Sequence, residues 1–404
     1  MSTLAERAEQ RGGRRPDRSR RGPSRPVKQA PPAPLDAPRM AAYRLIRTVN
    51  ADGAYANLAL PKLLGEYGLS GRDAGLATEL AYGTVRCAGV LDEILAACID
   101  RAPEDVQAEV RDLLRLGAYQ LLRTRIPPHA AVSTTIELAR AIELGRASGF
   151  VNAVLRKVAR LDWDGWTRQL GDGATPPRQM ALRTAHPEWI AAAFEAALGG
   201  DLAETEAALI ADDLRPQTHL VAWPGVATPA ELIEAAGGAA GPYSPYAVRL
   251  DGGDPAAIPA IRERRAGVQD EGSQLCAIAL AKAPLDGRDE RWLDLCAGPG
   301  GKAALLAALA AERGATLIAN ELRPHRAELV RSVVQRWGTE VTVGDARELP
   351  EIDGGYDRIL LDAPCTGLGA LRRRPEARWR RDPSDVAELA QLQRELLAAA
   401  LRLV

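Results

Sequence analysis

The chain has 404 residues, 46% hydrophobic and 26% charged, with a net charge of −1; that length accommodates two or three domains, each with its own core. No apolar run approaches the roughly 20 residues a bilayer demands, and the N-terminus lacks the charged-then-apolar pattern of a secretion signal, so a cytoplasmic protein with no membrane partner is expected. Five cysteines without paired spacing and four scattered histidines, His129, His186, His219 and His325, argue against a disulfide framework and against a bound metal.

Residues 1–36 are expected to be a disordered basic tail. The first 40 residues carry ten Lys or Arg against four acids, which leaves the remainder acidic. The Arg/Gly/Pro/Ser composition from Gly12 to Pro34 cannot bury a core. Such an arm suits RNA phosphates or simple solubility, and composition leaves both open.

Over residues 37–162 apolar residues recur at three and four, as in Ala41-Tyr43-Leu45-Ile46-Val49, Leu76 to Val85, Val90 to Ile99, Val110 to Leu122 and Ser133 to Leu144. Five or six helices with short connections predict an all-α bundle. Residues 163–262 mix helical stretches with short strands at Thr218 to Trp223 and Ala247 to Leu250, a small α+β connector. Residues 263–404 read as an α/β unit.

In that unit a strand at Trp292 to Leu295 opens into Cys296-Ala297-Gly298-Pro299-Gly300-Gly301-Lys302, a turn almost without side chains, and then into Ala-rich helix. A second strand, Thr316 to Asn320, ends at Glu321. A third, Tyr356 to Leu361, runs into Asp362-Ala363-Pro364-Cys365-Thr366-Gly367, with a carboxylate and a thiol three residues apart. The turn fails as a phosphate-binding P-loop, which needs Gly at position 296 and Ser or Thr at 303. Gly298, Gly300 and Ala303 do satisfy a dinucleotide fingerprint, with Glu321 at the interval of a ribose-binding acid, so spacing alone leaves an NAD-dependent oxidoreductase open. Either ligand needs close backbone approach, which glycine permits, and helix-start amides to meet an anionic group. Asp362 taken alone reads more readily as a buried, paired strand-end aspartate.

Asp294 to Lys302 (DLCAGPGGK), Glu321, GDAR at 344–347 and LDAPCTGLG at 361–369, in this order and at these intervals, resemble the motifs of the Sun/Fmu family, ribosomal RNA small subunit methyltransferase B-like enzymes that use S-adenosylmethionine to methylate carbon 5 of cytosine in RNA. Val268 to Gln274 is similar to that family's lead-in helix. Residues from about 37 to 160, with Pro127 to Val132 and Gly149 to Arg156, resemble its NusB-like RNA-binding domain. The resemblance implies a multi-domain fold: an all-α NusB-like bundle, the α+β connector, and a Rossmann-like methyltransferase domain. It implies that Cys296, Ala297, Gly298, Pro299, Gly300, Gly301 and Lys302 wrap the methionine part of S-adenosylmethionine. Glu321 would hold the ribose and Asp345 would face the adenine. Asp362 would close the site and contact the cytosine, while Asn152, Arg156 and Lys157 would line a polar face for RNA, most naturally ribosomal RNA.

Carbon 5 of cytosine is a poor nucleophile until a thiolate adds at carbon 6, which explains why such chemistry wants a thiol. Similar enzymes use two cysteines. Cys365 matches the one that helps resolve the covalent adduct; the attacking one belongs to a Thr-Cys-Ser-like sequence on the next strand. Here Cys365 is followed by a basic loop, Arg372-Arg373-Arg374 to Arg380-Arg381, and by a helix from about Ser384 with Leu389, Leu392, Leu396 and Leu397 on one face. The sequence stops at Val404, and the other cysteines are Cys87, Cys98, Cys276 and Cys296. This pattern is read as a methyltransferase domain truncated at its C-terminus and lacking its nucleophile. An inert NusB-like RNA-binding protein is the competing reading; in an oxidoreductase the Asp-Ala-Pro-Cys motif would have no role.

Overall fold

The computed structural model describes residues 36–102 and 105–404. The expected basic tail lies outside the described residues except for Asp36. Asp36 starts the first helix, Ala37–Asp52, by accepting a hydrogen bond from the Arg39 amide at 3.2 Å; Pro38 fits the first turn, and Gly53 at φ 67° closes the helix. Six more helices follow among the described residues: Ala56–Glu66, Gly71–Arg86, Ala88–Cys98, Ala108–Arg123, Pro128–Ala141 and Ser148–Val158. That is one or two more than periodicity counted. Pro61 lies inside Ala56–Glu66 and reads as a helix breaker, yet burial of Ala56 and Leu60 in the common core keeps this segment helical.

Leu45, Ile46, Leu80, Leu91, Ile94, Leu113, Leu116 and Leu155 fill the centre of the bundle, and each contributes about 2 kcal/mol by leaving water. Trp163, Trp166, Leu182 and Ala185 join the same core from Trp163–Leu170 and Pro176–Arg183 and the turn after it. Two further helices, Glu188–Ala197 and Leu202–Ala211, pack around Met180, Ile190 and Leu209.

Next comes a small antiparallel sheet built from β1 (Thr218–Ala222), β2 (Ala239–Ala240), β3 (Ala247–Leu250) and β4 (Ala266–Val268), in the order β2–β3–β1–β4. Val268, expected in a lead-in helix, instead ends β4 opposite Leu220. The helix begins only at Glu271, because the peptide groups of 266–268 are taken by β1.

The second sheet is parallel throughout: β5 (Arg291–Asp294), β6 (Thr316–Glu321), β7 (Glu340–Val343) and β8 (Arg358–Leu360), in the order β7–β6–β5–β8. Alternate residues face opposite sides. Trp292, Leu317 and Ala319 pack with Glu271–Lys282, Gly301–Glu312 and Pro324–Val334, while Leu293, Ile318 and Ile359 pack with Ser384–Leu403. On that last helix Leu392, Leu396, Ala400 and Leu403 face the sheet. Leu397, expected on the same face, is 51% exposed, because one residue beyond Leu396 is a 100° turn of the helix. Strand order reverses between β5 and β8, the switch point where doubly wound sheets open a crevice at the strands' carboxyl ends.

Candidate cofactor and reaction site

Because β5, β6, β7 and β8 are parallel, the chain leaves all four strands at one edge. Asp294, Glu321, Asp345 and Asp362 are therefore delivered to the same side of the sheet, at or just beyond strand ends. The turn after β5 is tied down by the Ala297 amide, which donates to Asn320 O at 2.8 Å. Asn320 in turn donates to the carbonyls of Leu295 and Gly344, both at 3.2 Å, and accepts from Thr342 at 3.0 Å. One buried amide thus joins the exits of three strands.

Glu321 is held toward the turn. Its carboxylate accepts from the Gly298 amide at 3.0 Å and the Arg323 amide at 2.9 Å, and faces Arg326 at 3.6 Å. Arg326 also donates to the Gly298 carbonyl. A Cβ on Gly298 would fall 2.0 Å from Glu321 Oε2, so only glycine lets acid and turn approach this closely. Gly300, at φ 111°, then starts Gly301–Glu312 with no side-chain cap. The first amides of that helix, which have no intrahelical partner, are therefore not taken by a capping side chain either.

On the other side of β5, Lys302 Nζ binds Asp362 Oδ2 at 2.7 Å. Near this pair lies Asp294, 1% exposed, with neither carboxylate oxygen in hydrogen-bond geometry with a partner among the described residues. Burial pushes its pKa up to about 7, and the nearby Cys296 amide offsets only part of this. Burial also pushes the Cys296 thiol up to about 12, so Cys296 stays protonated and is no candidate thiolate. Cys365 is exposed, on a loop whose Pro364 and Thr366 carbonyls accept from Gln393 at 2.8 Å and Arg381 at 2.9 Å.

Comparisons with known proteins agree with this arrangement. The family model described as 16S rRNA methyltransferase RsmB/F matches residues 280–404, and that of the NusB family matches residues 36–160. "Putative methyltransferase MT1451" of Mycobacterium tuberculosis is 54% identical over 373 residues, 92% of this chain and 81% of that protein. The chain belongs to the Sun/Fmu, RsmB/F-like methyltransferase family with an N-terminal NusB domain. Ribosomal RNA small subunit methyltransferase B of Salmonella newport is 34% identical over 377 residues, covering 89% of this chain and 82% of its own length. The crystal structure of PH0851 shares the fold, with a TM-score of 0.74 at 22% identity over 92% of this chain and 84% of that one.

In this RsmB/F-like methyltransferase the structure brings together Cys296 to Lys302, Glu321 and Asp362. Asp345 lies two residues beyond β7 and is engaged by Arg347, which bonds its carboxylate at 2.6 Å and Glu395 at 2.6 Å; this holds the Asp345 carboxyl below its usual pKa. Asn152, Arg156 and Lys157 stand apart on the NusB-like domain, in Ser148–Val158; Asn152 is half-buried, Arg156 is exposed and Lys157 pairs with Asp100 at 2.9 Å. Sequence reasoning passed over Asp294, whose signal was an acid ending an apolar strand. It also missed Arg326 and Gln269, which lies 3.8 Å from where a Gly301 Cβ would stand. No spacing rule links those two to the turn.

Proposed function

We propose that the protein binds S-adenosylmethionine at the strand-end edge and belongs to an enzyme that methylates carbon 5 of cytosine in RNA, with small-subunit ribosomal RNA the substrate class and the cytoplasm its setting. The observation carrying this reading is that the glycine turn, Glu321 and Asp362 share one edge with the loop bearing Cys365. The residues fit the cofactor: close backbone approach at Gly298, open helix-start amides after Gly300, and an acid ending β6. When bound, S-adenosylmethionine supplies an electrophilic methyl group.

Each side chain has a definable task in this proposal. Glu321 accepts from ribose hydroxyls, and the amides after Gly300 meet the methionine carboxylate. Leu322 and Val343, both exposed at this edge, offer apolar surface to the adenine, with Asp345 beside them. Lys302 orients Asp362 toward the cytosine's Watson–Crick edge. Cys365 helps resolve the adduct. Asn152, Arg156 and Lys157 present the NusB-like domain's polar face to RNA.

Calorimetry with S-adenosylhomocysteine and with NAD tests the cofactor assignment. Binding of the first and not the second is expected; tight NAD binding alone would sink the reading. Glu321→Ala should weaken S-adenosylhomocysteine by about 2 kcal/mol through lost charge-assisted hydrogen bonds. A second reading for these 404 residues, RNA binding without turnover, is favoured by the state of their thiols. Cys87 and Cys98 are buried and burial keeps Cys296 protonated, which leaves Cys276, on the helix before β5, and Cys365, assigned here to adduct resolution. The 404-residue chain is thus expected to bind RNA and leave cytosine unmethylated. Formation of 5-methylcytosine by this chain, measured by nucleoside mass spectrometry, would make one of its own thiols the nucleophile and overturn the role assigned to Cys365.

A further inference from the structure

The arginine-rich segment 372–381 has the composition of a phosphate-binding arm, yet four of its six arginines are hydrogen-bonded to protein groups and a fifth, Arg374, lies over the Tyr55 ring at 5.4 Å. Arg373 binds Asp270 and the Gln217 carbonyl. Arg378, 0% exposed, donates to the Ala185 carbonyl at 2.8 Å and to Asp213 at 3.2 Å. Arg380 donates to the carbonyls of Val49, Ala54 and Gly53 at 2.7, 2.8 and 3.0 Å. These carbonyls close the first helix of the NusB-like domain, where a cation is favoured by the helix dipole. Between them the Trp379 indole donates to the Arg86 carbonyl at 2.8 Å and lies over Gly89, where a Cβ would come within 2.1 Å of the ring. The next residue, Arg381, turns the other way and donates to the Thr366 carbonyl at 2.9 Å, adjacent to Cys365.

We infer that Arg378 to Arg381 form a clasp through which the NusB-like domain holds the loop bearing Cys365, with Arg381 as the positioning residue for the Cys365–Thr366 turn. Trp379 and Arg380 anchor in the NusB-like domain, Arg378 anchors in the helices that follow it, and Arg381 anchors the loop, so motion of one end is transmitted over a single peptide unit. The helical domain then shapes the reaction site as well as contacting RNA. This functional consequence rests on the reading of Ala363 to Gly367 as the reaction loop; the clasp itself can be measured without any methyl transfer.

The measurement is the rate at which iodoacetamide labels Cys365 in the full chain, resolved by peptide mapping, with exposed Cys276 as internal control. Cys365 is already exposed, so no opening gates its labelling and the rate follows the set of loop conformations that present the thiol. Arg381→Met should raise it about fivefold, the factor that one net hydrogen bond narrowing that set is worth. Trp379→Ala should do the same from the helical-domain side, leaving Cys276 unchanged. Since Trp379→Ala endangers the fold, Arg380→Met, at a more exposed site, repeats the test, and circular dichroism verifies that each variant is folded. If Arg381→Met alone accelerates labelling, the coupling to the helical domain is overturned; if neither end matters, the positioning role is overturned too. If Arg380→Met lowers the salt dependence of RNA binding and leaves Cys365 labelling unchanged, the segment is a phosphate arm after all. S-adenosylhomocysteine binding, measured alongside, should be unaltered in every variant. Its absence in the unmodified protein would refute the cofactor site and leave the clasp standing.

Discussion

At the strand-end edge the Asp294 carboxylate is buried with neither oxygen partnered, whereas at the clasp the equally buried Arg378 meets Asp213 and the Ala185 carbonyl through Nη1. The acids and bases around the clasp extend further: Arg86 and Arg123 approach Asp213 at 3.6 and 3.7 Å, and His186 lies 3.9 Å from Asp212. Arg378 still leaves Nε and Nη2 without a partner, and burial lowers its pKa. Burial moves both groups toward neutrality, but the cation near Asp294, Lys302, is committed to Asp362, whereas Arg378 is bonded directly to Asp213 and so serves as a tie. The two regions should therefore respond to mutation and to pH in opposite senses.

The largest effect is expected from Asp294→Asn. The folded pKa, about 7, lies above the unfolded value of about 3.9, so the wild-type protein loses stability as pH rises from about 4 to 7 and keeps that deficit above it. At pH 8 the amide should stabilise the fold by up to about 4 kcal/mol, at about 1.4 kcal/mol per pKa unit. The gain should shrink toward pH 5, as read from urea midpoints. A gain independent of pH would erase the contrast.

Arg378→Met should have the opposite sign, a loss of about 3 kcal/mol, because the half-buried Asp213 keeps only its two longer pairs and the tie to the Ala185 carbonyl is lost. Urea unfolding checks it, and an unchanged midpoint would mean that the clasp tolerates an apolar tie. His186 sharpens the comparison at acid pH. Burial, and then the Arg378 charge, lower its pKa to about 3. Its share of stability is therefore present above the unfolded value of about 6.5 and is lost as pH falls through the folded value. Relative to His186→Gln, the wild-type protein should lose about 2 kcal/mol between pH 7.5 and 5, measured from thermal midpoints.

The strand-end edge was largely legible because its constraints are local. Glycines at 298 and 300, an acid closing β6 and a motif closing β8 each declare themselves within a few residues, and parallel pairing then gathers them. The clasp was not legible, since an arginine run carries the same spelling whether it meets phosphate or helix-end carbonyls 193 to 331 residues away in the chain. Asp294 fell between the two cases: its position showed in sequence, but its lack of partners depends on how Lys302 and Glu321 are committed to other groups. Ala56–Glu66 was missed because propensity at Pro61 was outweighed by tertiary burial, and Leu397 was misplaced by a single residue of helical phase.

The short strand β4 belongs to the small sheet by hydrogen bonding and to the methyltransferase half by sequence. Gln274 reinforces the join, donating to the Leu220 carbonyl at 3.2 Å and to the Gln269 carbonyl at 3.0 Å. Dissecting the protein into separately produced pieces between residues 262 and 263 would strip β1 of its neighbour and leave a bare edge ready to pair with another chain. Cutting before Thr218 keeps the four strands whole, and the piece that stays soluble will be the one that takes the small sheet along.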